Sequence, residues 1–102
     1  MGMAIQLEDA QGKVLEEIPD LESLLARLFP SWDDGTFHCL RYIDPWGETT
    51  FNHLQMDEVI SELRRIREKT AVEAERAFID AIEGMATRCK EGEHRYLKFL
   101  GD

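Results

Sequence analysis

Hydrophobic and polar positions alternate at the start of the chain. Ala4-Ile5-Gln6-Leu7-Glu8 has the two-residue period of a half-buried strand, and Lys13 to Ile18 offers a second, weaker one. Asp9-Ala10-Gln11-Gly12 lies between them, and Gly12 can supply the positive φ of a tight hairpin connection. The period then changes. Leu21, Leu24, Leu25 and Leu28 fall at i, i+3, i+4 and i+7, one apolar stripe of a short helix with Asp20 as its N-cap. Pro30 ends that helix, because its ring disfavours helical geometry at Phe29.

Thr36 to Ile43 is rich in aromatic and β-branched residues and is predicted as a strand. Asp44-Pro45-Trp46-Gly47 predicts a type I turn with a G1 bulge, Gly47 taking the left-handed position, before a return strand from Glu48 to Phe51. In that pairing Phe37, Cys39, Arg41 and Ile43 share a face with Thr49 and Phe51. Asn52 to Gln55 matches a capping box, flanked by Phe51 and Met56 as a hydrophobic staple, and the helix continues through Val59, Ile60, Leu63 and Ile66. A second capping box at Thr70-Ala71-Val72-Glu73 divides residues 53–91 into two helices. A single helix there would be about 58 Å long. The second helix carries Phe78, Ile79, Ile82, Met85, Ala86 and Cys89 and ends with Gly92 at C′. Arg95 to Leu100 alternates as a last strand.

The expected architecture is therefore a single α+β domain over residues 1–102, order β-β-α-β-β-α-α-β, an antiparallel sheet with helices packed mainly on one side. Neither face of the Thr36–Ile43 strand is cleanly polar, so the pattern leaves open which sheet face meets the core. Hydrophobic residues make up 43% of the 102 and only 7 are Gly and 3 Pro, which argues against a disordered chain. No apolar run approaches the roughly 20 residues of a membrane-spanning helix.

Charge changes the picture more than composition does. The net charge is −9, and it is unevenly placed. Residues 1–62 hold 13 acids and three bases, while residues 63–102 hold 8 acids and 9 bases. A negative field over the first part repels phosphate backbones, so nucleic-acid binding is disfavoured, and the same field steers a basic protein partner.

Cys39 and Cys89 are too few and too far apart for a disulfide framework or a Cys-x-x-Cys site, so buried, reduced thiols are expected. Met1-Gly2-Met3-Ala4 has no basic stretch followed by an apolar one, which predicts a cytoplasmic chain. His38, His53 and His94 share no ligand spacing. A zinc site of His38, Cys89 and His94 is not asked for by the pattern, and no metal or other cofactor is expected. Gly-x-Ser-x-Gly, Gly-x-Gly-x-x-Gly and the P-loop pattern are absent, so no catalytic residue is assigned and no enzymatic activity is expected. The basic run Arg64-Arg65-Ile66-Arg67-Glu68-Lys69 sits near a helix C-terminus, where cations complement the dipole.

The loop aromatics carry the remaining signal. Trp32 precedes Asp33 and Asp34, and Trp46 occupies the tight turn between Asp44 and Glu48. Tryptophan beside acids matches the composition of interface hot spots, and a partner's Lys or Arg can stack on such a ring. Trp46, Asp44, Glu48, Asp33, Asp34 and Trp32 are the candidate partner-binding residues. The expected function is a small acidic protein-binding module that docks a basic partner. An immunity protein against a nuclease toxin is one concrete form, on size and charge alone. The alternative is a structural or regulatory homodimer without catalytic activity.

Overall fold

The structure, a computed structural model, describes residues 3–101. Met1, Gly2 and Asp102 lie outside that range, and with them part of the amino-terminal stretch in which no leader is expected. Strands β1 (Met3–Glu8) and β2 (Val14–Asp20) form the expected hairpin, with Gly12 at φ 81° in the connection and a bulge between Leu7 and Glu8. Helix α1 (Leu24–Leu28) follows. Strands β3 (Glu48–Asn52) and β4 (Tyr96–Leu100) complete an antiparallel sheet in the order β2-β1-β4-β3.

Register decides which face is apolar. Ile5 lies opposite Ile18 and Phe99, and Leu97 opposite Leu7 and Phe51, so one side of the pleat carries a continuous hydrophobic row. Gln6, Glu17, Thr50 and Lys98 occupy the other side, where Lys98 Nζ lies 3.1 Å from Glu8 and 3.9 Å from Glu48. Helices α2 (Met56–Glu68) and α3 (Glu73–Glu91) cover the apolar face and bury Val59, Leu63, Ile79, Ile82 and Met85 against it. Phe99 is the hub, packed edge-on to Phe51 at 5.9 Å and tilted against Phe29 at 6.2 Å.

The two helices are antiparallel. Asp57 pairs with Lys90, Arg64 with Glu83 and Arg67 with Asp80, so numbers rise along one helix as they fall along the other. These pairs are exposed and screened by solvent, so they mark the helix register and add little stability. The break between the helices is where the sequence predicts it, but its chemistry differs. Thr70 does not cap α3: its hydroxyl donates at 2.7 Å to the Ile66 carbonyl, which also accepts from Lys69 N–H at 3.1 Å, and so closes the last turn of α2. At the far end Gly92 has φ −102°, and His94 takes the positive φ (58°) instead. The Asn52–Gln55 capping box forms as expected, on a short 3₁₀ turn leading into α2.

Two expectations near α1 and the sheet are corrected. Asp20 is not the N-cap residue. It lies at the end of β2, buried, and from there its carboxylate accepts from Leu24 N–H at 2.7 Å and Leu25 N–H at 2.9 Å, while Ser23 fills the cap position at φ 57°. The element order holds with one substitution: Thr36–Ile43 is not a strand but a loop with a 3₁₀ turn at Leu40–Tyr42. The cause is Glu62. Its side chain, 1% exposed on the inner face of α2, accepts from His38 N–H (2.6 Å), Cys39 N–H (3.1 Å) and Leu40 N–H (2.9 Å). Three successive amides aimed at one carboxylate cannot also serve a strand ladder, whose amides point alternately to opposite sides.

Candidate functional site

The Glu62 clamp determines where the candidate residues stand. It pins residues 38–40 to α2, and Arg65 extends the attachment by donating to the Thr36 carbonyl at 2.7 Å while stacking over Phe37 at 4.1 Å. Phe37, Cys39 and Leu40 are thereby buried, and Tyr42, just beyond, stays 62% exposed. Arg41 ties this segment to the preceding loop: its Nε donates to the Trp32 carbonyl at 2.8 Å and its guanidinium lies 4.9 Å from the Tyr42 ring centre.

Loop 31–35 and turn 44–47 therefore border one cleft. It holds about 320 Å³ and is apolar, floored by Met3, Leu25, Phe29 and Leu40. Trp32 and Ser31 form one lip, and Ile43 and Pro45 the other. Trp32 is 76% exposed and Trp46 79%, so neither ring covers the core edge. Trp46 itself stands beside the cleft rather than in its wall.

The turn is rigid for reasons other than the predicted hairpin. No strand precedes it, and Gly47 has no positive φ. Instead, Asp44 Oδ1 accepts from Trp46 N–H at 2.9 Å, Asp44 N–H donates to Thr49 Oγ1 at 2.8 Å, and Gly47 N–H donates to the Asp44 carbonyl at 3.3 Å. Gly47 leaves room for the Asp44 carboxylate, since a Cβ there would meet Asp44 Oδ2 at 2.9 Å and push that side chain aside. From below, Gly101 N–H donates to the Gly47 carbonyl at 2.7 Å.

The acids divide by geometry. Asp33 accepts from Ser31 Oγ at 2.5 Å, and Asp34 from the Thr36 hydroxyl at 2.6 Å and amide at 3.0 Å. The Thr36 hydroxyl, then its amide, hold the Asp34 carboxyl below the usual range. Both carboxylates are partly committed to shaping their own loop. Glu48 stays exposed at the start of β3. Sequence reasoning missed Tyr42, Arg41 and the apolar floor. The composition of residues 41–43 was visible, but a strand reading turned Tyr42 toward a sheet.

Burial, helped by the nearby charges of Glu62 and Glu58, pushes the Cys39 thiol up to about 11, and burial alone raises Cys89 to about 11 against the opposing charge of Arg95. Both thiols are free and enclosed, which disfavours nucleophilic use. Among the described residues no three His, Cys, Asp or Glu side chains group so as to hold a metal ion, and no helix is long and apolar enough to cross a membrane. Arg64 and Arg67 of the basic run are held by Glu83 and Asp80. No protein-family model, curated protein or solved structure matches the chain.

Proposed function

We propose that this chain is a non-catalytic, cytoplasmic protein-binding module that docks a basic partner over the Trp32–Trp46 surface. The observation that carries the reading is the cleft. Three large exposed aromatics line it or neighbour a residue that does: Trp32 in its wall, Tyr42 next to Ile43, and Trp46 next to Pro45. Scattered exposed apolar residues need no explanation, but an exposed tryptophan in the wall of an apolar recess, with two more exposed aromatics one residue from its lining, matches the composition of a hot spot. Asp33, Asp44 and Glu48 stand within two residues of these aromatics along the sequence, in a chain of net charge −9. The turn is braced by four hydrogen bonds, so docking there orders little that is loose. Immunity against a nuclease toxin is the concrete form that size and charge favour.

The test is selection of a Lys/Arg-rich displayed peptide library against the chain, followed by titration of the selected peptide. Trp46→Ala should weaken binding by about 2 kcal/mol, roughly 30-fold, with an unchanged melting temperature. Neutralising Asp33 and Asp34 should chiefly slow association, and less so at high salt. Unchanged affinity, or a melting temperature lowered by many degrees, defeats the proposal. A mass that rises with concentration and falls back in Trp46→Ala would assign the surface to a second copy instead.

A further inference from the structure

Helix α1 separates the aromatic cleft from a second recess. Leu25 faces the first, and Leu24 the second, which runs between the end of β2 and the flank of α3 and holds about 410 Å³. Its long wall is α3. Ala74, Ala77 and Ala81 recur at i, i+3 and i+7 there, all exposed, and Phe78 sits half-buried among them. Ile18 and Pro19 form the opposite wall. Two aliphatic side chains stand at the lips with little cover, Leu21 at 85% exposed and Val72 at 54%. The two long helices leave this flank of the sheet open, in a place shaped for one more helix.

We propose that this groove receives a basic amphipathic helix from a partner protein. Shape supplies half of the argument. Alanines at the wall let a second helix approach to the close end of the usual 8–10 Å interaxial range, and Phe78 and Ile18 give its apolar stripe something to pack on. Charge supplies the other half and selects the occupant. The charged residues among the described lining are Asp20, Glu22 and Glu75, all acidic. Asp20 is engaged by the α1 amides and Glu75 by Arg27 at 3.1 Å. Glu22 and the neighbouring Glu73 form no ion pair among the described residues, so they remain for a cation. An anionic membrane is repelled by such a rim, and a net charge of −9 favours a basic partner over a second copy. The inference stands apart from the Trp32–Trp46 surface and does not depend on it.

The experiment uses a fluorescein-labelled 14-residue peptide with Leu at i, i+3, i+7 and i+10 and Lys on the flanking positions. Controls are a scrambled isomer of equal charge and a version with Glu in place of Lys. The amphipathic basic peptide should bind at least tenfold tighter than either control. Ala77→Gln should reduce that affinity at least tenfold without changing the thermal melt. The Glu22→Gln/Glu73→Gln double variant should weaken binding several-fold at low salt, and Trp46→Ala should leave it unchanged. Equal binding of the scrambled isomer, or indifference to Ala77→Gln, overturns the proposal. So does sedimentation showing a dimer that Ala77→Gln dissociates, which would make the occupant a second copy.

Discussion

Replacing Glu62 by Ala removes the acceptor for three backbone N–H groups at once. Two of them, at Cys39 and Leu40, belong to residues only 6% and 1% exposed, so water cannot readily take the place of the carboxylate. A buried donor left without a partner costs about 1–3 kcal/mol, and hydrogen bonds to a charged group contribute roughly 1.5–3 kcal/mol each. Loss of a desolvated charge offsets part of this, and His38, exposed, can turn to solvent. A net destabilisation of about 3–4 kcal/mol follows, which for a domain of this size lowers the melting temperature by at least roughly 12 °C. Glu62→Gln should cost about 2 kcal/mol, because the amide keeps one acceptor oxygen but turns an NH₂ group toward backbone donors. Urea unfolding followed by circular dichroism measures both, with Glu58→Ala, exposed one turn earlier on α2, as a control expected within about 0.5 kcal/mol of wild type. Amide exchange at residues 38–40 should accelerate in both Glu62 variants. If Glu62→Ala costs less than about 1 kcal/mol, or Glu62→Gln matches the control, the carboxylate does not hold this loop.

The two thiols predict alkaline sensitivity. An unfolded chain loses their protons near pH 9.0 while the folded chain keeps them to about 11, so their contribution is intact below pH 9 and lost as pH rises through that interval. Urea melts from pH 8 to 10.5 should be nearly flat below pH 9 and then fall by about 1 kcal/mol per thiol per pH unit, a fall absent from a Cys39→Ala/Cys89→Ala double variant; equal profiles refute it. Gly101→Ala would place a Cβ 2.5 Å from the Pro45 carbonyl oxygen, so it should shift the Trp46 amide resonance and cost about 1–3 kcal/mol, and an unmoved resonance would show that the turn is not set from below. Duplex DNA should not bind measurably at physiological salt; a micromolar complex with a negative salt slope would mean that the arginines of α2 are free for phosphate.

What was legible in the sequence was whatever local chemistry decides. The β1–β2 hairpin, the Asn52–Gln55 cap and the apolar stripes of α2 and α3 each carry a local signal and are found where the pattern places them, although the residues read as ending α3 act otherwise. Thr36–Ile43 was misread because its composition favours a strand while its backbone answers to a residue some two dozen positions away. A trace of that contact does exist in the sequence. Glu62 falls on the apolar stripe of Val59, Leu63 and Ile66, where an acid must find donors to be buried at all. Asp20, buried at the end of β2, is a second instance of the same rule. The aromatic cleft was illegible for a different reason: its floor gathers Met3, Leu25, Phe29 and Leu40 from three separate segments, and only the fold brings them together.

The position of β4 bears on how the chain reaches this state. It is the last of the four strands to be synthesised, yet it lies between β1 and β3, with Ala4 opposite Leu100. Until residues 96–100 have left the ribosome, the β1–β2 hairpin and β3 have no common neighbour and each keeps an unpaired edge. Loop closure over nearly the whole chain must then precede the central pairing, a topology that slows folding. During that wait the hairpin is guarded by its own acids, Glu8, Glu16 and Glu17, whose mutual repulsion between chains opposes edge-to-edge association. Part of the acidity of the first 62 residues is thus carried by the hairpin whose edge waits for a strand from the far end of the sequence.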